Sequence, residues 1–271
     1  MKYFYLFCLC TVLVACSSSD TITILYTNDT HSQVLPKDDG RGGYARRMGL
    51  IRQEREKDSN LLLLDAGDFS QGTTFYNFFH GRIEVDALNR MGYDAITLGN
   101  HEFDNGVDTL ASILKDARFK VVCANYDVQN TPLEGLVKPY TLFWRNGLLI
   151  GVFGLGCNPE GLIDFARFAP VRYQAPYARA QEVADLLKNK WHCDLVICLS
   201  HMGTYPPAEG DYSDVEMVAQ TRNIDLVIGG HTHMVYENLQ VTNKDGKPVM
   251  LVQSGRSGVQ IGKIVLKMDR N

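Results

Sequence analysis

The sequence predicts an α/β protein whose sheets contain both parallel and antiparallel strands. Short continuous apolar runs, such as residues 61–64 and 195–199, alternate with amphipathic stretches of helical length. This alternation is typical of parallel strands that are buried on both faces and connected by helices. Asn146-Gly147 separates two further apolar runs and is a strong hairpin signal, so part of the sheet structure is antiparallel.

The first half of the chain alternates predicted strands with predicted helices. Residues 21–26 alternate β-branched and apolar side chains as a strand does, and Gly42-Gly43 precedes a helical pattern that runs to Lys57. The other predicted elements of this half are strands at residues 61–64, 93–98 and 119–124 and helices at residues 83–91 and 107–114.

The second half begins with a predicted hairpin and continues with the same alternation. The hairpin joins residues 140–144 and 148–155, and Asp245-Gly246 marks another turn. The remaining predictions are helices at residues 178–190 and 215–221 and strands at residues 195–199, 226–228, 239–242, 249–253 and 261–267. Because no internal repeat, low-complexity segment or Pro/Ser-rich linker follows residue 20, we expect one domain over residues 21–271.

Composition and charge are those of an ordinary globular protein. The 271 residues carry a formal net charge of -4; 45% are hydrophobic and 21% are charged. A chain without a basic excess is not expected to bind nucleic acid.

The first twenty residues are predicted to be an export signal and a tether. Met1-Lys2 is followed by an apolar stretch, residues 3–14, that is too short to span a bilayer. Leu13-Val14-Ala15-Cys16 and the serines after it resemble a bacterial lipoprotein signal. The resemblance implies removal of residues 1–15, acylation of Cys16 and a short tether at residues 16–20. We therefore expect a lipid-anchored protein of the bacterial cell envelope, periplasmic or at the cell surface; a plain secretory signal is the alternative.

Four cysteines remain in the predicted domain: Cys123, Cys157, Cys193 and Cys198. None belongs to a C-x-x-C pair, which argues against a zinc ribbon. Since Cys123 and Cys198 lie in apolar strand-like runs, buried free thiols are the favoured interpretation. An oxidising compartment leaves a disulfide open as the alternative.

Polar side chains of the kind that bind metals follow several predicted strands. Asp29 and His31 are two residues apart, so an extended backbone would point both to one side. Asn100 and His101 follow the strand at residues 93–98, at the position where open α/β sheets place their ligands. A helix N-cap asparagine beside an incidental histidine is the alternative for that pair.

Two aspartates and an aromatic cluster complete this part of the chain. Asp68 is a predicted ligand because it lies past the end of the strand at residues 61–64, whereas Asp65 is predicted to form structural hydrogen bonds. The aromatic residues between 75 and 79 either line a substrate cleft or pack under a loop.

Five of the seven histidines follow strand-like runs, and the exceptions, His80 and His192, are interpreted as surface or core residues. The strand ends supply seven candidate metal ligands: Asp29, His31, Asp68, Asn100, His201, His231 and His233. Seven ligands are too many for one ion but suit two ions that share a bridging carboxylate. Mixed nitrogen and oxygen ligands favour Mn, Fe, Co or Zn over Ca or Mg.

These motifs, in this order, resemble the calcineurin-like metallophosphoesterase superfamily. Within it, residues 26–31 (YTNDTH), 67–69 (GDF), 99–104 (GNHEFD) and 229–233 (GGHTH) resemble the 5′-nucleotidase family. The likeness extends over about residues 21–270. It implies a four-layer α-β-β-α sandwich of two mixed sheets flanked by helices.

The resemblance also implies a role for each candidate residue. One divalent ion would be held by Asp29, His31, Asp68 and His233, and the other by Asp68, Asn100, His201 and His231. His101 and Asp104 match the catalytic dyad of the family. His101 would stabilise charge on the phosphoryl oxygens and protonate the leaving oxygen, while Asp104 would fix the tautomer of its imidazole.

The implied function is hydrolysis of phosphate monoesters, above all nucleotides, outside the cytoplasm. The same site would serve a 2′,3′-cyclic-nucleotide phosphodiesterase, a UDP-sugar hydrolase or a thiosulfohydrolase. A non-catalytic metal-binding surface lipoprotein is the alternative of another class. Family members carry a second, C-terminal domain that stacks the nucleobase, whereas this sequence ends at Asn271. We therefore expect either a separate chain that supplies such a domain or broad substrate choice.

Overall fold

The computed structural model describes residues 21–208 and 210–267. The predicted signal peptide, Cys16 and the tether lie outside the described residues, so these expectations stay predictions. Within the described ranges, none of the helices combines the length and the apolar character that crossing a bilayer requires.

The first half of the chain contains short parallel strands connected by helices. In chain order the elements are β1 (Thr21–Thr27), α1 (Tyr44–Lys57), β2 (Leu62–Asp65), α2 (Thr74–Phe79), α3 (Arg82–Met91), β3 (Ala95–Ile96), α4 (Gly106–Leu114), β4 (Lys120–Val122), β5 (Tyr126–Asp127) and β6 (Val137–Lys138). A single 3-10 turn, His101–Phe103, separates β3 from α4.

The second half contains the longer strands. Its elements are β7 (Tyr140–Arg145), β8 (Leu148–Leu155), α5 (Phe165–Phe168), β9 (Arg172–Tyr173), α6 (Pro176–Asp185), β10 (Leu195–Ser200), α7 (Asp214–Gln220), β11 (Leu226–Gly229), β12 (Val235–Thr242), β13 (Pro248–Ser254) and β14 (Gly262–Lys267). A π-helical turn, Leu186–Lys190, extends α6 to the end of the predicted helix.

Two six-stranded sheets organise the domain. The first has the strand order β14-β1-β2-β3-β4-β6 and the second the order β12-β13-β11-β10-β8-β7, while β5 and β9 form a small separate pair. Within the two large sheets the strands are parallel except β14, β12 and β7, each of which pairs antiparallel with its neighbour. The predicted mixture of parallel and antiparallel strands is therefore confirmed.

The two large sheets stack face to face. Ile24 and Leu64 of the first sheet share one apolar cluster with Ile150 and Ile197 of the second. Because successive side chains of a strand point to opposite faces, Leu25 contributes instead to the cluster that the first sheet forms with α1, α3 and α4. A third cluster joins the second sheet to α6 and α7. The result is the predicted four-layer α-β-β-α sandwich.

Three local features differ from the sequence-based expectations or decide between them. The strand predicted at residues 93–98 is reduced to Ala95–Ile96. The aromatic cluster forms helix α2, in which Tyr76 is buried and Phe75 half-buried, while Phe78 and Phe79 are 79% and 47% exposed. Packing therefore describes only part of the cluster. All four cysteines of the domain are free and buried, as the favoured interpretation held.

Candidate metal centre

The seven predicted ligands lie at the edge where the carboxyl ends of β1, β2, β3, β10 and β11 meet. Their closest contacts join residues far apart in sequence, and all four of them cross from one sheet to the other. The pairs are Asp68 Oδ2 and His201 Nε2 at 3.0 Å, Asn100 Oδ1 and His231 Nδ1 at 3.2 Å, Asp29 Oδ1 and His233 Nε2 at 3.2 Å, and His31 Nε2 and His233 Nε2 at 3.0 Å.

Three groups of side chains at this edge are close enough to hold a metal ion, and one of the groups includes His101 as well as predicted ligands. Each group offers ligand atoms that lie within 4.8 Å of one another: Asp29 with His31 and His233, His31 with Asp68 and His101, and Asp68 with His201 and His231. Asp68 belongs to two of the groups, which is the position that a bridging ligand occupies. The assignment of individual ligands to individual ions stays a prediction.

The geometry around His201 shows that a cation fits between the ligands. His201 is fully buried, and its Nδ1 lies 2.7 Å from the carbonyl oxygen of Ala66. Since a carbonyl only accepts hydrogen bonds, Nδ1 carries a proton, and in the neutral imidazole, the form that binds metals, Nε2 presents a lone pair. This Nε2 has no hydrogen-bond partner among the described residues, although Asp68 Oδ2 is 3.0 Å away. Two electron-pair donors facing each other in a buried site fit a bound metal ion.

The protonation equilibria of the same residues indicate a strong negative field. Burial lowers the pKa of His201, but the carboxylates of Asp68 and Asp29 outweigh it and raise this pKa to about 10. Burial likewise raises the pKa of Asp68, yet the charge on His201 holds it well below its usual range. Both pKa shifts arise because the buried carboxylates and the imidazolium of His201 attract each other. A carboxylate buried at this point is stable only when a positive charge lies next to it.

Five candidate ligands have a left-handed backbone conformation that residues other than glycine rarely adopt. Their φ angles are 50° at Asp29, 43° at His31, 55° at Asp68, 71° at His231 and 57° at His233. Such residues cost about 1–3 kcal/mol each and persist only where the surrounding structure determines them. Hydrogen bonds from Asp29 N to Gly67 O (2.9 Å) and from His31 N to Asp68 O (3.0 Å) hold two of these loops together.

His101 and Asp104 form a hydrogen-bonded pair beside the ligands. The Nδ1 of His101 lies 2.9 Å from Asp104 Oδ2, and the backbone N–H of His101 donates to Asp68 Oδ1 at 2.9 Å. The hydrogen bond to Asp104 raises the pKa of His101 against the effect of burial. The two side chains are about one-third exposed, so a substrate can reach the imidazole.

Glu102 is a residue of the site for which the sequence reasoning assigned no role. Its Oε2 accepts hydrogen bonds from the backbone N–H groups of Asp68 (3.0 Å) and Gly99 (2.6 Å), and its Oε1 accepts one from Ser70 (3.1 Å). The side chain is 3% exposed. One buried carboxylate thus fixes the two loops that carry Asp68 and His101. In the sequence, the only indication of this role is that the glutamate lies within the motif at residues 99–102 (GNHE).

Replacing Glu102 with glutamine should destabilise the domain. The amide cannot accept from all three N–H groups, because its nitrogen faces at least one of them. We expect the free energy of unfolding to fall by about 1–3 kcal/mol, as for a buried donor left unpaired. Urea denaturation measures it, with the exposed Glu56→Gln on α1 as the matched control. Equal stability of the two variants would show that the carboxylate does not hold the loops.

The interpretations of Asp65, His80 and His192 are confirmed, whereas the extended backbone predicted between Asp29 and His31 is wrong, because β1 ends at Thr27 and both residues have positive φ angles. Asp65 accepts hydrogen bonds from Thr27 Oγ1 (2.5 Å) and Gly67 N (2.9 Å), and it serves the loop rather than the ligand cluster. Burial raises its pKa to about 7. His80 and His192 are exposed and belong to none of the three groups.

Two stacked sheets that carry candidate carboxylate, amide and imidazole ligands at their common edge, next to a hydrogen-bonded His–Asp pair, are an arrangement suited to a metal-dependent hydrolase. Comparison with known families agrees, since the model of the calcineurin-like phosphoesterase family matches residues 22–235. The chain belongs to the calcineurin-like phosphoesterase family.

Several characterised proteins are similar over nearly the whole chain. Snake venom 5′-nucleotidase of Gloydius brevicauda is 31% identical over 96% of this chain and 47% of its own length. The trifunctional nucleotide phosphoesterase YfkN of Bacillus subtilis is 29% identical over 92% of this chain and 18% of its own. The crystal structure of a 5′-nucleotidase precursor from Thermus thermophilus superposes with a TM-score of 0.81 and 32% identity, covering 92% of this chain and 52% of that one. The chain thus spans about half, or less, of these relatives.

Proposed function

We propose that the protein is a phosphomonoesterase with two divalent metal ions that acts on nucleotides in the manner of a 5′-nucleotidase. The observation that carries the proposal is the His101–Asp104 pair beside the ligand cluster. A ring nitrogen of His101 lies within 4.8 Å of ligand atoms of His31 and Asp68. A purely structural metal site has no use for such a partly exposed pair, which is why the non-catalytic alternative is disfavoured.

The proposed roles follow from this chain's own side chains. Asp29, His31, Asp68, Asn100, His201, His231 and His233 would hold the two ions. When bound, divalent ions supply positive charge for the phosphoryl oxygens and make a water nucleophilic at neutral pH. Asp104 keeps the proton of His101 on Nδ1, so Nε2 is the atom that stabilises phosphoryl charge and delivers a proton to the leaving oxygen.

Phosphate release by the purified protein tests the proposal. In the presence of Mn²⁺ we expect hydrolysis of AMP and p-nitrophenyl phosphate, loss of activity on adding EDTA and recovery on adding Mn²⁺. 2′,3′-Cyclic AMP and UDP-glucose are incubated in parallel, and AMP or UMP is measured by chromatography because the first hydrolysis of either compound releases no inorganic phosphate. These two substrates distinguish a monoesterase from a phosphodiesterase or a UDP-sugar hydrolase. Metal-loaded protein that hydrolyses none of these esters would contradict the proposal and favour a non-catalytic role.

The cellular location of the protein is also a proposal. The lipoprotein signal at Leu13-Val14-Ala15-Cys16 supports anchoring of the protein in a bacterial cell envelope by acylated Cys16. Membrane association that persists in the Cys16→Ala variant would contradict it.

A further inference from the structure

A cavity of about 270 Å³ adjoins the candidate metal centre. Its wall includes His231, which is a proposed ligand, and Met202, which directly follows the proposed ligand His201. Cys157 also lines it, with its Sγ 4.0 Å from Asn100 Oδ1. A group attached to a phosphate at the metal centre would therefore enter this cavity directly.

Tyr212 forms an aromatic part of the cavity wall and is held in place by its neighbours. Tyr212 lines the cavity and packs edge-on against Tyr177, with ring centroids 5.0 Å apart. The hydroxyl of Tyr177 accepts a hydrogen bond from the backbone N–H of Ser213 at 2.8 Å, and Asp214 N donates to Gly203 O at 2.8 Å. These contacts fix the loop before α7, so the aromatic wall exists before a substrate binds. Leu162 and Met202 add apolar surface.

The charged side chains that line the cavity are acidic. Glu160 and Asp211 line it, and no lysine or arginine does so among the described residues. An additional phosphate on the bound group would meet two carboxylates and no cation there. Hydroxyl and amino groups would instead find acceptors, including the side chain of Asn158.

We propose that this cavity receives the leaving group of the phosphoester and selects a neutral nucleoside over a leaving group that carries a second phosphate. The inference rests on the proposed function and narrows it. Water adds its oxygen to phosphorus, the P–O5′ bond breaks, and O5′ of the departing nucleoside takes up a proton. Tyr212 stacks the base, and Asp211 and Glu160 exclude further negative charge.

The test compares substrates that differ in one group at a time. AMP and ribose 5-phosphate differ by the base, and AMP and adenosine 3′,5′-bisphosphate differ by a 3′-phosphate. The product that has lost the 5′-phosphate (adenosine, ribose or adenosine 3′-phosphate) is measured by chromatography. In Tyr212→Ala we expect the kcat/KM preference for AMP over ribose 5-phosphate to fall about tenfold. In Asp211→Lys we expect the preference for AMP over the bisphosphate to fall at least about tenfold. Because both substrates of a pair carry the same 5′-phosphate, the contribution of that phosphate to kcat/KM cancels in each ratio.

Two controls separate this inference from the proposed function. Glu56→Lys changes the net charge by the same amount on an exposed part of α1 and should leave both ratios unchanged. Hydrolysis of p-nitrophenyl phosphate by the unmodified protein reports the metal centre, and its absence would overturn the proposed function. If that activity is present and both variants keep the original ratios, the cavity does not select the leaving group and the inference is wrong.

Discussion

Replacing Asp68 with asparagine is expected to reduce turnover of p-nitrophenyl phosphate by about 10³-fold or more. The variant keeps the size of the side chain and an oxygen for the backbone N–H of His101, but it removes the charge that faces His201 Nε2. Loss of several kcal/mol of charge stabilisation corresponds to a decrease of this order. We also expect bound metal, measured by mass spectrometry of dialysed protein, to fall from two ions per chain.

The control for this variant is Asp108→Asn, the same chemical change on the exposed face of α4. It should retain metal content and turnover. Two tightly bound ions and full turnover in Asp68→Asn would exclude the bridging role of Asp68 while leaving the other ligands untested.

Replacing His101 with alanine is expected to separate catalysis from metal binding. The imidazole lies beside the ligand groups and is held by Asp104, so the variant should still bind metal while kcat falls by about 10²–10⁴. Asp104→Asn leaves the imidazole present but without its carboxylate partner, and a smaller decrease of about 10- to 100-fold is expected. Steady-state kinetics on AMP together with metal analysis of the same preparations measure both effects.

The exposed His192→Ala serves as the matched control for His101→Ala and should behave as the unmodified protein. A His101→Ala protein that loses metal as readily as Asp68→Asn would show that His101 is a ligand, as its place in one of the three groups allows. Unchanged kcat with metal bound would remove the dyad from the mechanism.

Local patterns were sufficient to predict the longer elements. The helix predicted at residues 107–114 is Gly106–Leu114, and the strand predicted at 195–199 is Leu195–Ser200. Such segments repeat a period several times, so their own sequence specifies them. The two-residue strands β5, β6 and β9 contain no period and depend on hydrogen bonds to their partners. No single-sequence pattern predicts them.

The sequence by itself determined the candidate residues of the site, because metal ligands commonly follow strands and the carboxyl ends of parallel strands share an edge. Only the tertiary structure decided how they meet. Stacking of the two sheets brings Asn100 to His231 across 131 residues, and it buries Glu102 beneath two loops. The cavity walled by Tyr212 arises from the same packing. These relations depend on contacts between distant segments, and burial, rather than local propensity, sets their geometry.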